Sequence, residues 1–146
     1  MSFLSDILIT SLAQIEVPGG NVMHAIKKTD LGFSDFGEAY FSSINCTSIK
    51  AWKRHTKMTM NIIVPVGRVH FAFAIENKNG LYEFRTEEIG GHNYSRITVP
   101  PMIWFGFQGI SPGSSLALNI ANIAHDPNEI ERLNLEKINY PWKSTL

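Results

Sequence analysis

Apolar and polar positions alternate along this chain in short runs, and turn residues separate the runs. The clearest is Val69 to Ile75, Val-His-Phe-Ala-Phe-Ala-Ile. A period of two puts Val69, Phe71, Phe73 and Ile75 on one face of a strand and His70, Ala72 and Ala74 on the other. Asn77-Lys78-Asn79-Gly80 follows, and Asn-Gly tolerates the positive φ of a tight hairpin. Further strands are expected over 37–44, 49–53, 59–64, 81–89, 94–99, 103–107 and 115–120. Asn45-Cys46-Thr47-Ser48, Pro65-Val66-Gly67, Gly90-Gly91-His92-Asn93 and Pro100-Pro101 divide them. Residues 1–12 alternate loosely, Pro18-Gly19-Gly20-Asn21 reads as a turn, 22–26 as a short strand and 30–35 as a loop. Helix is confined to one turn over 127–132, with Asp126 as N-cap and Pro127 in the first helical position.

Short strands at regular spacing predict an all-β sandwich or barrel. With no repeat or linker, one domain is expected: an N-terminal arm (1–36), a barrel (37–121) and a C-terminal turn and tail (122–146). Tyr140 and Trp142 of that tail are expected to pack down.

Composition narrows the partners. A chain of 146 residues can bury a core. Its formal net charge is zero, so no overall field favours nucleic acid or an anionic membrane. No apolar run reaches the ~18 residues of a membrane span. The N-terminus has no basic flank, and Asp6 interrupts its apolar residues, so no signal peptide is read. Cys46 is the single cysteine; it reads as a small buried hydrophobe in a reducing compartment, and a cytoplasmic protein is expected. His24, His55, His70, His92 and His125 show no His-x-His or His-x-x-x-His spacing, so no metal is expected.

The stretch from Ile49 to Gly67 carries the chemistry. It opens with Lys50, Lys53, Arg54 and Lys57 around His55, then turns apolar. Histidine titrates near neutrality and serves as a general base. Neighbouring cations favour bound phosphates and lower the proton affinity of the ring. The plain alternative is a surface histidine on a solvated basic strand. Strict alternation would send Lys50, Trp52 and Arg54 to one face and Lys53, His55 and Lys57 to the other. Trp52 either stacks on a base or packs. His125, Asp126 and Glu129 form a second polar cluster, either a helix cap or a relay to His55. Tyr40 and Tyr94 are the tyrosines expected to face a barrel interior, where each either packs or donates a proton.

With these residues in view, the sequence resembles the dTDP-4-dehydrorhamnose 3,5-epimerase-like proteins. The likeness rests on residues 37–44, 49–67, Asn93, Val99-Pro100-Pro101-Met102-Ile103-Trp104-Phe105-Gly106-Phe107 and Ile138-Asn139-Tyr140-Pro141-Trp142, in that order. The resemblance implies an all-β, cupin-type jelly-roll barrel of short antiparallel strands. It implies a reaction without metal or organic cofactor: a histidine removes a proton beside the C4 keto group of a nucleotide-linked sugar. A lysine supports the enolate oxygen, and a tyrosine returns a proton from the other face. His55 matches the base, and Asn45 and Lys50 match nucleotide-side positions.

The chain departs from the family pattern around that base. Trp52-Lys53-Arg54-His55 stands where the family has Arg-Gly-Leu-His, so Trp52 takes the arginine position, with Arg54 or Lys50 as substitutes. The lysine position falls at or beside Met60-Asn61, and Leu118 stands at the tyrosine. The carboxylate that orients the base lies in a C-terminal region shortened here, leaving Asp126, Glu129 and Glu131 as stand-ins.

The expectation is a sugar-nucleotide epimerase or isomerase-like enzyme of polysaccharide biosynthesis. His55 would be the base; Lys50, Arg54 and Lys57 would meet phosphates or the enolate; Asn61 and Asn119 would bind the sugar. A homodimer using the N-terminal strands is implied by the family. The alternative, motivated by Leu118, is a non-catalytic cupin that binds a sugar nucleotide or supports a pathway partner.

Overall fold

The computed structural model describes residues 1–144. Its strands are β1 (Leu8–Ser11), β2 (Gln14–Val17), β3 (Gly20–Met23), β4 (Glu38–Asn45), β5 (Ile49–His55) and β6 (Met60–Val66). They continue as β7 (Arg68–Glu76), β8 (Tyr82–Gly90), β9 (Ser95–Val99), β10 (Trp104–Gly109), β11 (Ser114–Ala121) and β12 (Ile130–Arg132). The Asn-Gly hairpin joins β7 to β8 as expected. The single turn after Asp126 is a three-residue 3-10 turn, Pro127–Glu129, capped by the Asp126 carboxylate, which accepts from the Asn128 N–H at 2.9 Å. β12 has no counterpart in the sequence reading.

Two five-stranded antiparallel sheets form, ordered β1-β9-β6-β11-β4 and β12-β5-β10-β7-β8. From β4 to β11 every connection except β7 to β8 crosses from one sheet to the other. That alternation is the jelly-roll arrangement, so the expected all-β architecture is the one that forms. β1 adds to one edge and β12 to another. β2 and β3 make a separate hairpin.

The inner faces meet in an apolar core. Val69, Phe71 and Phe73 of β7 point into it, opposite Ile62, Val64, Ile97 and Val99. The other face of β7 is buried too: Ala72 and Ala74 lie with Trp52, Trp104 and Ile138 beneath Tyr140 and Trp142. The aromatic tail therefore packs down across the outside of the second sheet. The outside of the first sheet is covered by the arm. Arg96, wholly buried, donates to the Ala25 carbonyl at 2.7 Å and the Leu31 carbonyl at 3.3 Å, and Tyr94 donates to the His24 carbonyl at 2.7 Å. Tyr94 thus ties down the arm on this outer side, where an interior position was expected.

Trp52 anchors the tail. It is 2 % exposed, donates to the Leu135 carbonyl at 3.2 Å, and packs on Tyr140 and Trp142 at centroid distances of 6.1 and 5.4 Å. Removing a buried aromatic leaves a cavity as well as lost apolar burial. Trp52→Ala is therefore expected to cost about 3–5 kcal/mol of unfolding free energy, read from urea denaturation. An unchanged midpoint would refute the anchoring role.

Candidate active site

β5 does not alternate strictly. Its register against β10 runs Arg54 to Trp104 and Lys53 to Phe105, then slips so that Ala51 faces Gly106 and Lys50 faces Phe107. The extra residue is Trp52, and a bulge of this kind re-aims the side chains on either side of it. Lys50 consequently shares the inner face with Lys53 and His55, beside Phe105 and Phe107. Arg54 faces outward, where it pairs with Glu131 and lies 4.6 Å from the Trp104 ring centroid. The expected grouping of Lys50 with Arg54 is corrected by one residue's slip.

His55 ends β5 with its ring 2 % exposed, stacked on Phe105 at a centroid distance of 6.0 Å. Its Nδ1 lies 2.8 and 3.0 Å from the two oxygens of Glu129, itself 1 % exposed. Glu129 is held in turn by the Met58 N–H, which donates at 3.2 Å. The backbone explains how it gets there: Ile130 pairs with His55, and the Thr56 N–H donates to the Glu129 carbonyl at 2.8 Å. With Nδ1–H donated to the carboxylate, the lone pair sits on Nε2. That atom is buried and has no hydrogen-bond partner among the described residues. Burial, chiefly, holds the His55 proton affinity below its ordinary 6.5; the Glu129 carboxylate opposes this, and Lys53 and Arg132 add to it. The neutral ring with a free Nε2 is the form a general base needs.

Between the sheets beside this pair lies a cavity of about 590 Å³. That is the size of a small-molecule site, typically about 300–1,000 Å³. Lys50, Lys53 and Arg132 line it on one side, and Met60, Ile62 and Phe71 make an apolar part of its wall. His55 is set behind Phe105, which lines the cavity. From the opposite sheet, Tyr40 and Asn119 project in as a cross-strand pair. The Asn119 amide donates to the Tyr40 oxygen at 3.0 Å, which leaves the phenol proton free to be donated.

No protein-family model matches the sequence, and no curated protein matches it. Solved structures do. A dTDP sugar isomerase from Desulfovibrio desulfuricans is 31% identical over 96% of this chain and 92% of its own, with a TM-score of 0.88. The chain belongs to the dTDP-sugar isomerase family of epimerase-like cupins. Two more distant structures share the fold. QdtA, a sugar 3,4-ketoisomerase from Thermoanaerobacterium thermosaccharolyticum in complex with TDP, is 17% identical over 90% of this chain and 91% of its own, with a TM-score of 0.75. A dTDP-4-dehydrorhamnose 3,5-epimerase from Bacillus anthracis with TDP and PPi bound is 14% identical over all of this chain and 90% of its own, with a TM-score of 0.81.

Within this dTDP-sugar isomerase-like cupin, the residues singled out in the sequence separate into two groups. His55, Lys50 and Asn119 come together at or beside the cavity. Trp52 borders the cavity too, but its ring belongs to the tail-covered outer layer, which favours packing over base stacking. Asn45 is exposed at the end of β4, accepting from the Ser114 hydroxyl at 2.7 Å, and Lys57 is exposed on the turn after β5; neither lines the cavity. Asn61 alternates to the outer side of its sheet. There it donates to the Gly32 carbonyl at 3.1 Å and accepts from Thr98, so it is spent on holding the arm. Leu118 also points outward, paired with Phe41 and Ile63, and its neighbour Asn119 points in. Glu129 is the stand-in carboxylate that reaches His55; Glu131 pairs with Arg54 on the outer face, and Asp126 caps its turn. Arg132 was missed, since a three-residue strand carries no periodicity to announce it.

The buried neutral His55 makes stability depend on pH. Its folded value lies below 6.5, so the unfolded chain binds the proton first as pH falls. The contribution is complete above about pH 6.5 and is lost as pH falls from there to the lower folded value. The difference in unfolding free energy between wild type and His55→Gln, followed from pH 7.5 downward, is expected to shrink below pH 6.5. A difference constant with pH would contradict a buried neutral ring.

Proposed function

We propose that this protein is a nucleotide-linked keto-sugar isomerase or epimerase that works by proton abstraction with His55 as base. The observation that carries the reading is the buried His55–Glu129 pair with a free Nε2, beside a cavity bearing Lys50, Lys53 and Arg132. The 31% identical dTDP sugar isomerase supports a TDP-linked sugar as substrate. Glu129 is a positioning residue: it fixes the tautomer and steadies the imidazolium after proton transfer. Lys50 and Arg132 meet the diphosphate, Arg132 in place of the Arg54 and Lys57 first expected. Asn119 binds the sugar and orients Tyr40. Tyr40, on the opposite wall from His55, donates the returning proton, a role that Leu118 cannot fill. The place in polysaccharide biosynthesis rests on the family resemblance, and the cytoplasmic setting on the single cysteine.

The same reading includes a homodimer. β2 and β3 pair only with each other among the described residues, and one face of this hairpin exposes Ile15, Val17 and Val22. Unpartnered apolar strands of this kind invite a second copy.

A second reading, a cupin that binds a sugar nucleotide without turning it over, is favoured by one feature. His55 Nε2 is covered, so substrate must displace a neighbour such as Phe105 to reach it.

One experiment separates the two. TDP-4-keto-6-deoxyglucose, the sugar nucleotide found on a QdtA variant, is incubated in heavy water and solvent deuterium in the sugar is followed. The isomerase reading expects exchange, reduced about 10²–10⁴-fold in His55→Asn, with an acid limb in the rate profile whose midpoint lies below pH 6.5. Binding with no exchange would leave the non-catalytic reading. Tyr40→Phe is expected to keep the exchange and lose product formation. Equal product formation would remove Tyr40 as the acid. Val22→Glu is expected to shift the sedimenting species from dimer to monomer; an unchanged species would remove the hairpin from the interface.

A further inference from the structure

Drawing a proton from a carbon beside a ketone breaks a C–H bond. The electron pair becomes the new C=C bond, the carbonyl π pair moves to oxygen, and the proton goes to the base. The oxygen then carries a charge that a low-dielectric cavity does not tolerate unaided. Some donor must face that oxygen, within a few ångströms of where the base meets the carbon.

Three cationic side chains line the cavity, and they are not equivalent. Lys50 is exposed and already donates to the Ser43 carbonyl at 2.7 Å. Arg132 is exposed on β12. Lys53 is half-buried, faces inward opposite Phe105, and stands two residues before His55 on the same face. Two residues of strand span about 6.6 Å, room for a carbonyl oxygen at one side chain and its α-carbon at the other. The other donors of the lining lie elsewhere: Tyr40 and Ser42 are on β4 of the opposite sheet, and Asn134 follows β12. Met60 and Ile62 have no strong donor, and the Asn119 amide is engaged by Tyr40.

We propose that Lys53 is a catalytic residue, whose ammonium holds the enolate oxygen formed when His55 takes the proton. This rests on the proton-abstraction reading above. It also accounts for Met60 and Asn61, one apolar and one turned outward, at the place where the family pattern puts its lysine. Lys53 faces the same space from β5 in the opposite sheet. Burial, foremost, and the charge of Arg132 lower the Lys53 proton affinity from its ordinary 10.5. A more acidic ammonium is a better donor to an enolate.

The test compares wild type, Lys53→Met and Lys53→Arg in two measurements. One is solvent deuterium exchange into TDP-4-keto-6-deoxyglucose. The other is the Kd of TDP, which has no sugar. Lys53→Met is expected to slow exchange about 10²–10³-fold, as loss of one oxyanion donor does, while the Kd for TDP stays within about threefold. Lys53→Arg is expected to recover part of the rate. Exchange at the wild-type rate in Lys53→Met overturns the assignment. So does a loss of TDP affinity matching the loss of rate, which would make Lys53 a phosphate contact. A wild-type protein that exchanges nothing overturns the proton-abstraction reading and this assignment together. Exchange in wild type matched by Lys53→Met overturns this assignment alone.

Discussion

A carboxylate and an imidazole taken out of water need each other. Glu129 and His55 are both almost fully buried, and leaving a buried polar group without its hydrogen-bond partner costs about 1–3 kcal/mol, more when the group is charged. The surrounding structure answers that constraint. β12 pairs with the end of β5 so that Glu129 arrives at Nδ1, and the Met58 N–H takes one of its oxygens. Once Nδ1 is committed, the free lone pair must be on Nε2. The tail that leaves β12 then wraps the second sheet, where Trp52, Tyr140 and Trp142 hold it. One segment thus orients the His55 ring, supplies Arg132 to the cavity and seals the outer face.

The barrel was legible from alternation and turn residues because each strand buries one face and each turn needs a special backbone. The Asp126 cap was legible for the same local reason. His55 stood out through its charged setting. What lay beyond the sequence reading is non-local. The slip at Trp52 moves Lys50 across the sheet, and no period-two count can see an inserted residue whose reason is the tail packed against it. Asn61 and Leu118 were matched by position in a pattern, but facing is decided by register, and both look outward. β12 is too short to show a period; only its pairing with β5 makes it a strand.

Position matching also hid which side chains face the cavity. The C-terminal region, read as lacking the orienting carboxylate, delivers one to His55 through Glu129. A tyrosine and a lysine, Tyr40 on β4 and Lys53 on β5, face the same space from opposite sheets. A cavity constrains which chemical groups face it more tightly than which strands carry them.

The wrapping of the tail has a consequence for biosynthesis. Residues 129–144 leave the ribosome after all eight barrel strands. A nascent chain can pair those strands while the outer surface under Ala72, Ala74 and Trp104 is still bare and His55 still lacks its carboxylate. Until Glu129 and the aromatic residues beyond it are in place, the barrel would be folded in outline with one flank uncovered and the His55 Nδ1 unpaired.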